Sequence, residues 1–166
     1  FNAFSGVNGF NNTGTYNKQN NTITTMEVPF TNSATVNVNA GTFSSTGGGT
    51  HSGTFNIAGG ATLDFNSGTH NLNNITTAGA GTLQISGSSS FNFVNVNGGT
   101  FPTTLLTSGG NLQGTGTTFT GAATWTGGVI TGAGSFTFNN TLAITGLNTK
   151  TLSGNRILNL SGTTTW

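Results

Sequence analysis

The chain has 166 residues, and of these only three are Lys or Arg and two are Asp or Glu, so its formal net charge is +1. A soluble domain ordinarily carries about a quarter charged residues, so neutral polar groups must keep this chain in solution. The lack of a basic cluster, of an apolar run of about twenty residues and of cysteine excludes nucleic acid as a partner, membrane insertion, and disulfide or thiolate chemistry.

Short strands with alternating apolar residues are predicted along the chain. Residues 53–57, 61–65 and 81–85 share the form small-Thr-apolar-x-apolar, and glycine follows most such segments. The abundance of Thr, Asn, Gly and Ser favours strands and turns over helices. An all-β fold is therefore expected.

Equivalent apolar positions recur with a regular period along the chain. The columns are Phe43, Leu63 and Leu83; Val36, Phe55, Ile75 and Val94; Phe119, Phe138 and Leu158; and Leu105 with Trp125. Their spacing predicts a parallel β-helix (β-solenoid) of about eight coils of 19–20 residues, with these side chains stacked in the core. Residues 1–166 are predicted to form a single β-solenoid segment.

Neither terminal segment carries a polar cap. Residues 1–14 and 155–166 are each shorter than one coil, and exposed coil ends template further strands. We therefore expect one unit of a longer array or filament, whose partner is a further copy of itself, through tandem repeats or end-to-end stacking.

The two carboxylates, Glu27 and Asp64, are too few for catalysis. Both alternate with inward-facing neighbours, so both are expected to point to solvent about two coils apart. A general acid/base pair is therefore not expected, and the chain is predicted not to be an enzyme and to use no cofactor.

The two histidines, His51 and His70, are separated by about one period, and each follows Gly-Thr. They are expected to be neighbours in adjacent coils. A two-histidine metal site would lack the third and fourth ligands that zinc requires. The favoured interpretation is a stacked, partly buried pair in a core column otherwise occupied by Phe and Leu.

The many Asn and Thr residues allow two interpretations. Asn side chains in successive coils can form amide ladders that rigidify the stack. Outward Thr rows, such as residues 115–118 and 163–165, could instead present a flat surface to ice or polysaccharide. The Thr positions are expected to wander between faces, which disfavours the ice-binding alternative.

Residues 53–65 and 124–128 resemble the repeat regions of very large bacterial surface proteins, the filamentous-haemagglutinin-like and autotransporter adhesins. The resemblance extends over about residues 35–166. It implies a right-handed β-helical stalk, secretion, an extracellular or cell-surface location, and a role in adhesion or matrix building, with extracellular glycans or surfaces as candidate targets. It supplies no catalytic residues. The expected function is a rigid structural stalk or filament unit; the alternatives are a glycan- or ice-binding module and, less favoured, a polysaccharide lyase-like enzyme.

Overall fold

The computed structural model describes residues 8–166, and in this range the chain forms strands and no helix. Each of eight successive coils contributes three strands. The first four coils contain β1 (Phe10–Asn12), β2 (Thr15–Lys18), β3 (Ile23–Met26), β4 (Phe30–Asn32), β5 (Thr35–Val38), β6 (Thr42–Ser45), β7 (Gly49–His51), β8 (Thr54–Ile57), β9 (Thr62–Phe65), β10 (Gly68–Asn73), β11 (Thr76–Ala78) and β12 (Thr82–Ile85). The last four contain β13 (Asn92–Asn97), β14 (Thr100–Phe101), β15 (Thr104–Thr107), β16 (Asn111–Thr115), β17 (Thr117–Phe119), β18 (Ala123–Trp125), β19 (Gly128–Ile130), β20 (Gly134–Phe138), β21 (Leu142–Ile144), β22 (Lys150–Leu152), β23 (Arg156–Leu160) and β24 (Thr164–Thr165).

The strands stack into parallel sheets that run along the solenoid. The first strands of the coils, β1 to β22, form one eight-stranded sheet, here called the first face, and the third strands, β3 to β24, form another, the third face. The second strands form two four-stranded sheets, one from β2 to β11 and one from β14 to β23. The predicted all-β parallel β-solenoid of about eight coils is confirmed. Its right-handed winding stays a prediction.

Alternation along each short strand places apolar side chains inside. In β5, Val36 and Val38 are buried while the Thr35 and Asn37 side chains are only partly covered. The next coil repeats the pattern with Phe55 and Ile57. Because each coil is too thin to bury its own apolar residues, the stacking of neighbouring coils creates the core.

The column predicted from Phe43, Leu63 and Leu83 is confirmed. These residues are direct partners in β6, β9 and β12, and all three are buried. Leu105 continues the column, but its next partner is Ala123, so the predicted pairing of Leu105 with Trp125 is wrong. Trp125 instead lies beside Thr107.

The column predicted from Val36, Phe55, Ile75 and Val94 is only half correct. Val36 pairs with Phe55, whose next partner is Thr77. Ile75 is buried just before β11, and Val94 belongs to the first face, between His70 and Leu112.

A third column needs a smaller correction. Phe119 pairs with Phe138 as predicted, but Phe138 then pairs with Leu160, whereas Leu158 pairs with Phe136. Phe119 and Phe138 are buried, and Leu158 is partly buried against the core.

Unequal corner lengths cause these shifts of register. Gly68 and its strand partner Asn92 are separated by more residues than the average period. Phe93 and its partner Asn111 are separated by fewer. The predicted coil length of 19–20 residues therefore describes the average coil and not every coil. An apolar residue at the average spacing can fall on a neighbouring position or even on another face.

Candidate functional site

The two carboxylates lie in different surroundings. Glu27 is exposed, as predicted. Asp64 is buried, which corrects the expectation that it points to solvent. The Ser86 hydroxyl donates to Asp64 Oδ1 at 2.7 Å, and the Asn66 amide donates to Asp64 Oδ2 at 3.3 Å. Asp64 thus sits on the outer side of its strand but is covered by polar neighbours.

The environment of Asp64 shifts its pKa upward. Burial is the main cause because it disfavours the charged carboxylate, and the hydrogen bonds from Ser86 and Asn66 oppose the shift. All three side chains hydrogen-bond within one cluster at the corner that follows the third face. This cluster joins two successive coils.

The structure brings His51 and His70 together in adjacent coils as predicted. They do not share one column, as was expected, because the strand partner of His51 is Leu72 and that of His70 is Gly49. Their rings stack at a centroid distance of 5.8 Å and an interplanar angle of 18°, and both residues are fully buried. The Phe65 ring lies 4.6 Å from that of His70. His70 Nε2 is 2.9 Å from the carbonyl oxygen of Ser67, whereas neither ring nitrogen of His51 has a hydrogen-bond partner among residues 8–166.

Burial holds both histidines in the neutral form. It lowers the pKa of His51 to about 3, with a further contribution from the charge of His70. It lowers the pKa of His70 to about 4, against the opposing effect of the hydrogen bond to the backbone of Ser67. In the described part of the chain, no three His, Cys, Asp or Glu side chains form a group that could hold a metal ion. The pair therefore packs as two core aromatics.

Amide ladders run along the outside of the solenoid. Asn37 donates to Asn17 at 2.7 Å, and Asn56 donates to Asn37 at 2.8 Å. On the first face, Asn95 donates to Asn71 at 2.9 Å. These bonds link equivalent positions in neighbouring coils, as the ladder interpretation of the sequence requires.

The positions of the threonines in successive coils are more regular than the sequence suggested. Two columns of four face outward, one formed by Thr15, Thr35, Thr54 and Thr76 and the other by Thr42, Thr62, Thr82 and Thr104. The expectation that Thr wanders between faces is therefore wrong for these coils, because Thr recurs at the first position of the strand. The row at residues 115–118 is not a continuous exposed row, since Thr117 is buried and its hydroxyl lies 3.1 Å from the carbonyl oxygen of Val96.

The last coil presents a large apolar surface. Among the described residues, eight large hydrophobic side chains are exposed, and five belong to the last coil or the corner leading into it: Leu147, Leu152, Ile157, Leu160 and Trp166. A cavity of about 400 Å³ opens there between Trp125, Ile144, Leu158 and Trp166. We call the surface formed by Leu152, Leu158, Leu160 and Trp166 the apolar end. It is the largest concentration of exposed apolar groups in the described part of the chain.

Two residues of opposite charge lie at the same corner of the solenoid cross-section, one in the first coil and one in the last. Glu27 follows β3 in the corner between the third and first faces of the first coil. Lys150 opens β22 at the same corner of the last coil, where its ammonium donates to the carbonyl oxygens of Gly146 and Asn148 at 2.9 Å each. Glu27 thus lies near one end of the solenoid and Lys150 near the other, whereas the remaining charged residues of these two coils, Lys18 and Arg156, are buried.

Residues 8–166 contain no helix long and apolar enough to cross a membrane. Comparison of the sequence with protein-family models and with curated proteins, and of the structure with solved structures, finds no match.

Proposed function

We propose that this chain is a rigid structural unit of an extracellular stalk or filament, in which the apolar end is covered by the first coil of a further copy. The concentration of exposed hydrophobic residues at the apolar end carries this proposal. A surface of this kind on a chain with so few charges favours burial against a partner.

The backbone at both ends supports the same arrangement. Among residues 8–166, the strands of the first coil, β1 to β3, and of the last coil, β22 to β24, are the outermost strands of their sheets. Edge strands present unpaired N–H and C=O groups that accept another parallel strand. A copy stacked head to tail would continue all three faces at the usual strand spacing of about 4.8 Å.

The charges favour one direction of stacking. A head-to-tail copy that continues the same corner would place its Glu27 two coil spacings, about 10 Å, from Lys150, whereas two apolar ends facing each other would bring two Lys150 groups together. Like charges in such a contact are unfavourable. Head-to-tail stacking can also repeat indefinitely and would form a filament.

A bacterial surface adhesin stalk is the setting that we propose for such a unit, because the sequence resembles adhesin repeat regions. Catalysis is not part of the proposal. Asp64 is enclosed by Ser86 and Asn66, and Glu27 lies in the first coil, so no paired carboxylates support hydrolysis or elimination.

Self-association should depend on the apolar end. We expect the unaltered chain to form rods that lengthen with protein concentration, seen by analytical ultracentrifugation and electron microscopy. Leu160→Asp should weaken association at least about tenfold, because a carboxylate would be buried in an apolar contact. Leu160 is 46% exposed in the single chain, so the variant is expected to retain its fold.

Thr50→Asp is the matched control, since it adds the same charge on an exposed position of β7 on the side of the rod. It should leave association unchanged. A chain that stays monomeric at every accessible concentration, or equal weakening by both substitutions, would contradict stacking through the apolar end.

A further inference from the structure

Two exposed aromatic residues lie far from either end of the solenoid. Outside the first coil, the last coil and the corner that leads into the last coil, the large exposed hydrophobic side chains of the described residues are Phe91, at 71%, and Phe93, at 37%. Phe91 lies in the corner segment before β13, and Phe93 faces outward from β13 itself. End-to-end stacking would leave both rings uncovered.

The corner that carries Phe91 forms one wall of a recess. Gly68 and its strand partner Asn92 are separated by more residues than the average period. The next two pairs of partners, Phe93 with Asn111 and Asn111 with Val129, are separated by fewer. The long corner therefore overhangs the two short ones. A recess of about 300 Å³ lies between them.

Peptide groups, hydroxyl groups and Val129 line this recess. Its floor consists of glycines, because neighbouring coils approach too closely there for a side chain: a Cβ on Gly109 would lie 2.1 Å from the carbonyl oxygen of Gly87. The side-chain oxygens along its walls come from Ser88, Ser89, Thr149 and Thr151. Among the residues that the structure describes, no charged side chain lines it.

Buried amides hold the overhanging segment in place. Asn92 is fully buried, and its Nδ2 donates to the carbonyl oxygens of Phe65 and Ser86 at 2.7 Å each. Asn111 donates to the carbonyl oxygens of Ser89 and Asn92. The wall is therefore fixed before any ligand arrives, which reduces the ordering cost of binding.

We propose that this recess, together with Phe91, which lies two residues along the chain from the lining residue Ser89, and the outward-facing Phe93 beyond it, binds a neutral glycan chain. Hydroxyl and peptide groups can exchange hydrogen bonds with sugar hydroxyls, and an exposed aromatic ring can cover the apolar face of a sugar ring. The uncharged lining disfavours ionic ligands. The recess runs past four successive coils about 4.8 Å apart, a spacing close to the length of one sugar unit, so it suits a chain better than a single sugar.

Titration with cello-, malto- and chito-oligosaccharides tests this proposal, with backbone amide chemical shifts as the measurement. We expect at least one of these neutral oligomers to shift the amides of Gly87, Gly109 and Gly128 at millimolar concentration or below. The double substitution Phe91→Ala and Phe93→Ala should weaken that binding about tenfold or more. Both rings are exposed, so the variant should remain folded.

Ile23→Ala is the matched control, because it removes an exposed apolar side chain, 69% exposed, from the first coil. It should leave the affinity unchanged. The proposal is overturned if none of the three oligomers binds, if binding survives the loss of both rings, or if anionic polygalacturonate binds the recess better than the neutral chains. Leu160→Asp should bind the oligomer as the unaltered chain does, so failure of glycan binding and failure of stacking are separate results.

Discussion

Lowering the pH from 7 to 5 is expected to reduce the free energy of unfolding by about 4 kcal/mol through His51 and His70. The pKa values of the two buried imidazoles are lowered to about 3 and about 4, whereas an unfolded chain has histidines with a pKa near 6.5. Between pH 6.5 and about 4 the unfolded state therefore binds more protons than the folded state. Stability must fall as the pH falls through this window.

Asp64 has the opposite effect on the free energy of unfolding, which it increases as the pH falls. Its pKa is raised by burial, so on acidification the folded state takes up a proton before the unfolded state does, and this stabilises the fold. The two histidines outnumber this single carboxyl. The net change between pH 7 and pH 5 should therefore be a loss of stability.

Denaturant unfolding at pH 7, 6 and 5 measures this effect. The double substitution His51→Leu and His70→Leu should abolish the loss, whatever it does to stability at pH 7. Asp64→Asn is the control, because it removes the opposing contribution and should lose at least as much stability on acidification as the unaltered chain. A loss that persists without the histidines would show that other groups cause it.

Gly49→Ala is expected to destabilise the fold by more than about 4 kcal/mol. Gly49 has a φ of +145°, and a Cβ at this position would lie 1.9 Å from the carbonyl oxygen of Phe30. The contact is with the backbone of the neighbouring coil, so it cannot be relieved by a side-chain rotation. The first face would have to separate locally, and strand pairing on both sides of β7 would suffer.

Gly60→Ala separates this contact from the cost of the backbone conformation. Gly60 also has a positive φ, +81°, but a Cβ there would meet nothing within 4 Å. We expect it to cost about 1 kcal/mol, from the left-handed conformation alone. Thermal and denaturant unfolding of the two variants gives the comparison. Similar losses in both would mean that the close approach of the coils at Gly49 is unimportant.

The sequence predicted one of the candidate sites correctly and missed two others. The adjacency of His51 and His70 followed from their spacing, and it survives in the structure as a ring stack. The burial of Asp64 was missed because alternation shows only which side of a strand a residue occupies. Whether an outward side chain is covered depends on which residue of the next coil lies beside it, here Ser86. The recess was missed because it arises between corners of unequal length.

The all-β character, the parallel coils and their approximate number could be predicted from the amino-acid sequence, because strand alternation and a regular repeat survive small changes in corner length. The sequence also placed Phe43, Leu63 and Leu83 in one column, where successive corners are nearly equal. Only the tertiary structure decided that Val94 lies on a different face from Val36, and that Trp125 is not a partner of Leu105. Register results from hydrogen bonding between coils, so one long corner shifts every later position relative to an average period.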